Sequence, residues 1–85
     1  MRLPIIKHFV QFIDENDEDF LLETIATLED LTLCDALKDQ EIDVIGELLS
    51  NLYGALEVAN DIKEGTSKRD ALNGFMQRVI KSIDR

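Results

Sequence analysis

Residues Gln40–Glu64, QEIDVIGELLSNLYGALEVANDIKE, decide how this chain is read. Ile42, Ile45, Leu49, Leu52, Leu56 and Ala59 recur there at alternating spacings of three and four, which marks a continuous apolar helical seam. Beside the seam run Gly46, Ser50 and Gly54 at spacings of four, with Tyr53 on the border and Glu57 next along the same flank. A helix of this length spans about 37 Å. That exceeds what a globule of 85 residues needs for its own core, so the segment is expected to pack against something more. Each glycine inside a helix costs about 1 kcal/mol relative to alanine. Two in one helix call for a reason, and close approach of another helix supplies it, as in small-residue helix interfaces in membranes. Gly46, Ser50, Tyr53, Gly54 and Glu57 are therefore the candidate contact residues, facing either a helix of the same chain or a second copy.

Working outward, the pattern predicts three more helices. The first runs from about Pro4 to Glu15, with proline suited to a first turn that lacks N–H partners anyway. Ile5, Ile6, Phe9, Val10, Phe12 and Ile13 form its apolar face. Asn16 is the expected N-cap of a second helix, with Asp17, Glu18 and Asp19 opposing the positive end of its macrodipole. Phe20, Leu21, Ile25, Leu28 and Leu31 make its buried stripe. Thr32–Lys38 is a connector anchored by Leu33 and Leu37, and Asp39 is the expected cap of the long third helix. Gly65 ends that helix in the left-handed conformation glycine tolerates. Ser67, with Asp70 three residues on, has capping-box spacing and opens a fourth helix to about Ile83. Its face is Leu72, Phe75, Met76, Val79, Ile80 and Ile83. No strand pattern or repeat interrupts this order, and the short connections favour antiparallel neighbours. The expected fold is all-α, a compact four-helix arrangement with one long central helix at about 40–64, in a single domain, 1–85.

Composition limits what such a domain can be. A chain this short buries only about 60% of its unfolded surface and needs a staple or a partner to be robust. The single cysteine, Cys34, excludes an internal disulfide, and the single His8 leaves little for a zinc site. Met1–Lys7 lacks an apolar stretch behind its basic start, and no apolar run approaches the length of a membrane span. No membrane association and a cytoplasmic location are expected, with a homodimer as the assembly.

Net charge is −9, which repels phosphate backbones and anionic lipid. Residues 1–62 carry 3 basic and 15 acidic side chains, whereas residues 63–85 carry 6 basic and 3 acidic. This asymmetry reads as electrostatic matching within or between subunits, and no nucleic-acid partner is expected.

Candidate chemistry is sparse. The acidic run Asp14–Asp19 fails as an EF-hand loop, since Asp19 falls where the turn glycine belongs and Ile25 where the bidentate glutamate belongs. His8 lies toward the polar edge of its helix without an identifiable carboxylate partner. Cys34 precedes Asp35, whose charge opposes thiolate formation, so an inert thiol at least half buried is expected. Lys68 and Arg69 open the fourth helix as a DNA-reading helix might, yet no basic surface accompanies them. Asp35-Ala36-Leu37 echoes the attachment motif of acyl carrier proteins but has alanine where serine must carry the prosthetic arm. No catalytic residue, cofactor or metal is assigned.

Residues Asp43–Glu57, together with Ala71-Leu72-Asn73 and Phe75-Met76-Gln77-Arg78-Val79, resemble a family of small uncharacterised bacterial all-helical proteins. The resemblance covers most of the chain and brings no catalytic residues to carry over. It also implies an accessory role beside thioredoxin and peroxiredoxin in thiol redox. The leading expectation is a non-enzymatic helical module that self-associates and offers an acidic surface to a protein partner. The alternatives are a redox accessory acting through Cys34 and a small enzyme or ligand-binding protein with a site between subunits.

Overall fold

The computed structural model describes the backbone of residues 2–83 and the side chains of residues 2–79. It contains α1 (Leu3–Glu15), α2 (Asp19–Leu31), α3 (Asp39–Lys63) and α4 (Lys68–Ile83), with no strand among the described residues. The all-α, four-helix expectation with a long third helix holds. The side chains of Ile80 and Ile83, expected on the inner face of α4, lie outside the described residues.

Helix ends show which local signals act. Gly65 adopts φ +106°, its N–H donates to the Ile62 carbonyl at 3.0 Å, and Thr66 N–H donates to the Asp61 carbonyl at 3.1 Å. That pair of bonds is a Schellman stop, and it requires a residue that tolerates positive φ. Ser67 Oγ accepts the Asp70 N–H at 3.2 Å, as the capping-box spacing predicts. Two expected caps are displaced. Asn16 closes α1 instead of opening α2, donating from both its N–H and its Nδ2 to the Phe12 carbonyl at 2.9 and 3.1 Å. The Asp17 carboxylate takes the opening role by accepting the Asp19 N–H at 3.1 Å. Asp39 lies inside α3, and Glu41 reaches back to accept the Lys38 N–H at 2.9 Å.

α3 touches all three other helices, and α1 also touches α4. α1 lies along the second half of α3 in the same sense. At its start Arg2 meets Glu47 and Asn51, and near its end Val10, Ile13 and Asp14 share a cavity with Ala59, Ile62 and Lys63. α2 returns in the opposite sense, from the Glu18–Lys63 ion pair at 2.9 Å to the Glu29–Tyr53 hydrogen bond. The common core joins Ile6 and Val10, Leu21 and Ile25, Leu52, Ala55 and Val58, and Ala71, Leu72 and Phe75. Full burial of a side chain such as Ile6 or Val58 contributes about 1.5–3 kcal/mol.

The seam on α3 is broader than predicted and turned. Ile45, Leu52 and Ala59 are buried, Leu49 and Leu56 are half-buried, and Ile42 is exposed. Asn51, Gly54, Ala55 and Val58 are buried as well, shifting the covered arc by about a quarter turn. The reason is that α1 and α4 both press on this side, where small residues admit them. Phe20 (54% exposed), Leu31 and Leu33 depart from the expected buried stripe and anchor, because α2 turns only Leu21, Ile25 and half-buried Leu28 inward.

The strip of small residues divides. A Cβ on Gly54 would stand 2.9 Å from Phe75 Cζ and 3.1 Å from Ile6 Cδ1, so this glycine admits helices of its own chain. Gly46 is exposed, and a Cβ there would meet nothing within 4 Å. Gly46→Ala is therefore expected to stabilise the fold by about 1 kcal/mol through helix propensity, read as a rise of about 4–8 °C in Tm.

Candidate functional site

The face selected from sequence surrounds a shallow cavity of about 330 Å³ lined by Ser50, Tyr53, Gly54, Glu57 and Phe75. Four of the five candidate residues thus come together, with Gly46 further along the same exposed flank. The rim is charged. Arg78 bridges Glu57 at 3.5 Å and Asp61 at 3.4 Å, and Tyr53 donates its hydroxyl to the Glu29 carboxylate. These exposed pairs contribute little stability, but a docking helix would have to desolvate them.

The hydrogen bond to Glu29, followed by desolvation and the negative charge of that carboxylate, raises the Tyr53 pKa above its ordinary 10.0. Loss of the phenolic proton breaks the bond, so its contribution is complete below the unfolded pKa and disappears as pH rises through the higher folded value. Tyr53 is the only tyrosine and the chain has no tryptophan, so alkaline absorbance titration reads this group alone. The tyrosinate signal is expected above the unfolded transition, and Glu29→Gln should bring it down.

A second surface lies between α1, α2 and α3, and sequence reasoning missed it. Here Phe9, Phe12, Phe20, Leu21, Leu28, Leu48 and Leu52, with His8 and Thr24, line a groove of about 340 Å³. Three of the four phenylalanines gather in it. Phe12 and Phe20 meet edge to face, with centroids 5.8 Å apart and planes at 83°, a geometry that aromatic quadrupoles favour. The Thr24 hydroxyl donates to the Phe20 carbonyl at 2.7 Å, leaving no strong polar demand on an incoming group. No carboxylate lines the groove, so His8, which is exposed, has no acid–base partner there.

The groove continues onto the start of α3. Because α1 begins beside Glu47 and Asn51, it does not run over the preceding turns of α3, and Ile45 is the only buried residue of Asp39–Ser50. Val44 (58% exposed) and Leu48 (38%) sit four apart on this overhang, and Leu48 also lines the groove. One signal for this surface was present in the sequence. Val44 and Leu48 are apolar residues off the predicted seam, at helical spacing.

Lys7, Lys68 and Arg69 converge with Leu3, Leu72 and Asn73 on a cavity of about 370 Å³. None of these three cations is in an ion pair among the described residues, where the bridges use Arg2, Lys63 and Arg78. Cys34 is exposed in the connector, contrary to the expectation of a half-buried thiol. Among the described residues no three His, Cys, Asp or Glu side chains are grouped to hold a metal ion, and no helix is long and apolar enough to cross a membrane.

No curated protein and no solved structure matches the chain. The profile of the family of unknown function DUF6952 matches residues 1–84, and the chain belongs to that family.

Proposed function

We propose that this member of the DUF6952 family is a non-enzymatic helical module that works by self-association, as a homodimer presenting an acidic outer surface to a protein partner in a bacterial cytoplasm. The observation that supports self-association is the shape of the single chain. Its Cα trace measures 43 × 35 × 17 Å, a flat slab. Its radius of gyration is 13.9 Å, against about 12 Å for a compact domain of this length. Its accessible surface is 6077 Å², whereas a compact monomer of the same mass exposes about 5,100 Å². The surplus is comparable to the roughly 800 Å² that each partner buries in a stable interface.

Sedimentation velocity at micromolar concentration tests this reading. The expected species has twice the 9.7 kDa chain mass. A species that stays at the chain mass across the accessible concentration range would refute it.

One observation favours a second reading, an accessory role in thiol redox: the only thiol, Cys34, is exposed and open to a partner disulfide. Reactivity toward a model disulfide at neutral pH tests it. A rate no faster than that of free cysteine would end it, since exposure alone does not make a thiol a redox centre.

A further inference from the structure

We infer that the groove between α1, α2 and α3 is the seat of a second copy of this chain, with the overhanging start of α3 from each copy lying in the groove of the other. The inference rests on the self-association reading and places its interface. Three observations select the occupant. First, groove and overhang are neighbours in each chain and share Leu48. A two-fold axis passing near Leu48 therefore exchanges them, giving each copy both halves of one contact, as an isologous interface requires. Second, each chain carries a net charge of −9, so two copies can meet closely only where carboxylates are sparse. No carboxylate lines the groove, so the Asp39, Glu41, Asp43 and Glu47 carboxylates of an incoming overhang meet an apolar wall with His8 among its residues and not a second set of acids. The face around Tyr53, by contrast, would set Glu57 against its own copy. Third, the exposed apolar side chains of the two parts, Phe12, Phe20, Val44 and Leu48, form the aromatic and aliphatic centre that association needs.

Two substitutions on different helices test the placement. Val44 and Phe20 are 58% and 54% exposed in the single chain, so a carboxylate at either position leaves the core intact. In the dimer either would bury an unpaired charge against a second acidic chain. Val44→Asp and Phe20→Glu are each expected to weaken association about 100-fold in sedimentation equilibrium, a change of about 2.7 kcal/mol, with helical circular dichroism retained. Ser50→Asp, on the opposite flank of α3, should leave the dimer intact. A wild-type chain that is monomeric throughout would remove the self-association reading itself. A dimeric wild type that tolerates both groove substitutions but is dissociated by Ser50→Asp would overturn the placement alone and return the interface to the Gly46–Glu57 flank. If one groove variant fails to fold, the other decides.

Discussion

Gly54→Leu is expected to lower stability by about 3 kcal/mol or more, at the upper end of what overpacking a core costs. Its first added carbon would already sit 2.9 Å from Phe75 Cζ and 3.1 Å from Ile6 Cδ1. Neither neighbour can swing into solvent, since Phe75 is 4% and Ile6 0% exposed. Leucine recovers about 1 kcal/mol of helix propensity over glycine, which the clash outweighs. Native domains of this length hold only about 0.05–0.15 kcal/mol per residue, so the variant should melt at least about 12 °C below the parent. Thermal denaturation followed by far-UV circular dichroism measures this. An unchanged Tm would mean that α1 and α4 do not approach α3 at this point.

Asn51→Ala should cost about 2–3 kcal/mol, because both of its hydrogen bonds are inside the fold. Asn51 is the one buried polar side chain among the described residues. Its Oδ1 accepts the Arg2 N–H at 2.8 Å and its Nδ2 donates to the Glu47 carbonyl at 2.9 Å. The first bond satisfies, from a different helix, the N–H of Arg2, the residue at the start of α1. The neighbouring Arg2–Glu47 ion pair, at 3.3 Å and largely exposed, contributes far less. Asn51→Asp separates the two bonds. It keeps the acceptor for Arg2 but sets a buried carboxylate oxygen against the Glu47 carbonyl, which raises the pKa of the new acid. Protonation restores a donor, so the stability lost at neutral pH should be regained as pH falls through that raised value. Chemical denaturation of both variants across acidic and neutral pH measures these effects. A pH-independent deficit in Asn51→Asp would contradict the bonding assigned to Asn51.

What the sequence disclosed and what it hid separate by range. Gly65 and Ser67 were legible because their roles need only the few residues around them, and the α3 seam because its period is local. Asn51 was not, since nothing near it signals that Arg2 returns to its side. Asn16 has the chemistry of a cap and serves as one, but the same side chain can close one helix or open the next, and only the path of the chain decides. Phe20 and Val44 mark the same limit. Hydrophobicity says that a residue gains by burial, and tertiary packing says whether this chain alone provides it. Of the candidate flank, Ser50, Tyr53 and Glu57 lie together at one open cavity and Gly46 stands further along the exposed flank, whereas Gly54, in the floor of that cavity, is packed from within by Phe75 and Ile6.

The Asn51–Arg2 bond also carries a consequence for the order of events during synthesis. It joins positions 49 residues apart, so α1 is secured by a helix made after it. Until α3 emerges, α1 is a 13-residue helix with no side-chain cap at its N-terminus and little cover, too short to persist alone in water. Its core-facing Ile6 and Val10 then lack the Leu52, Ala55 and Val58 side chains of α3 for the duration of roughly fifty further additions, a few seconds at about 5–20 residues per second. In this protein α1 is made before α3 and held in place only after it.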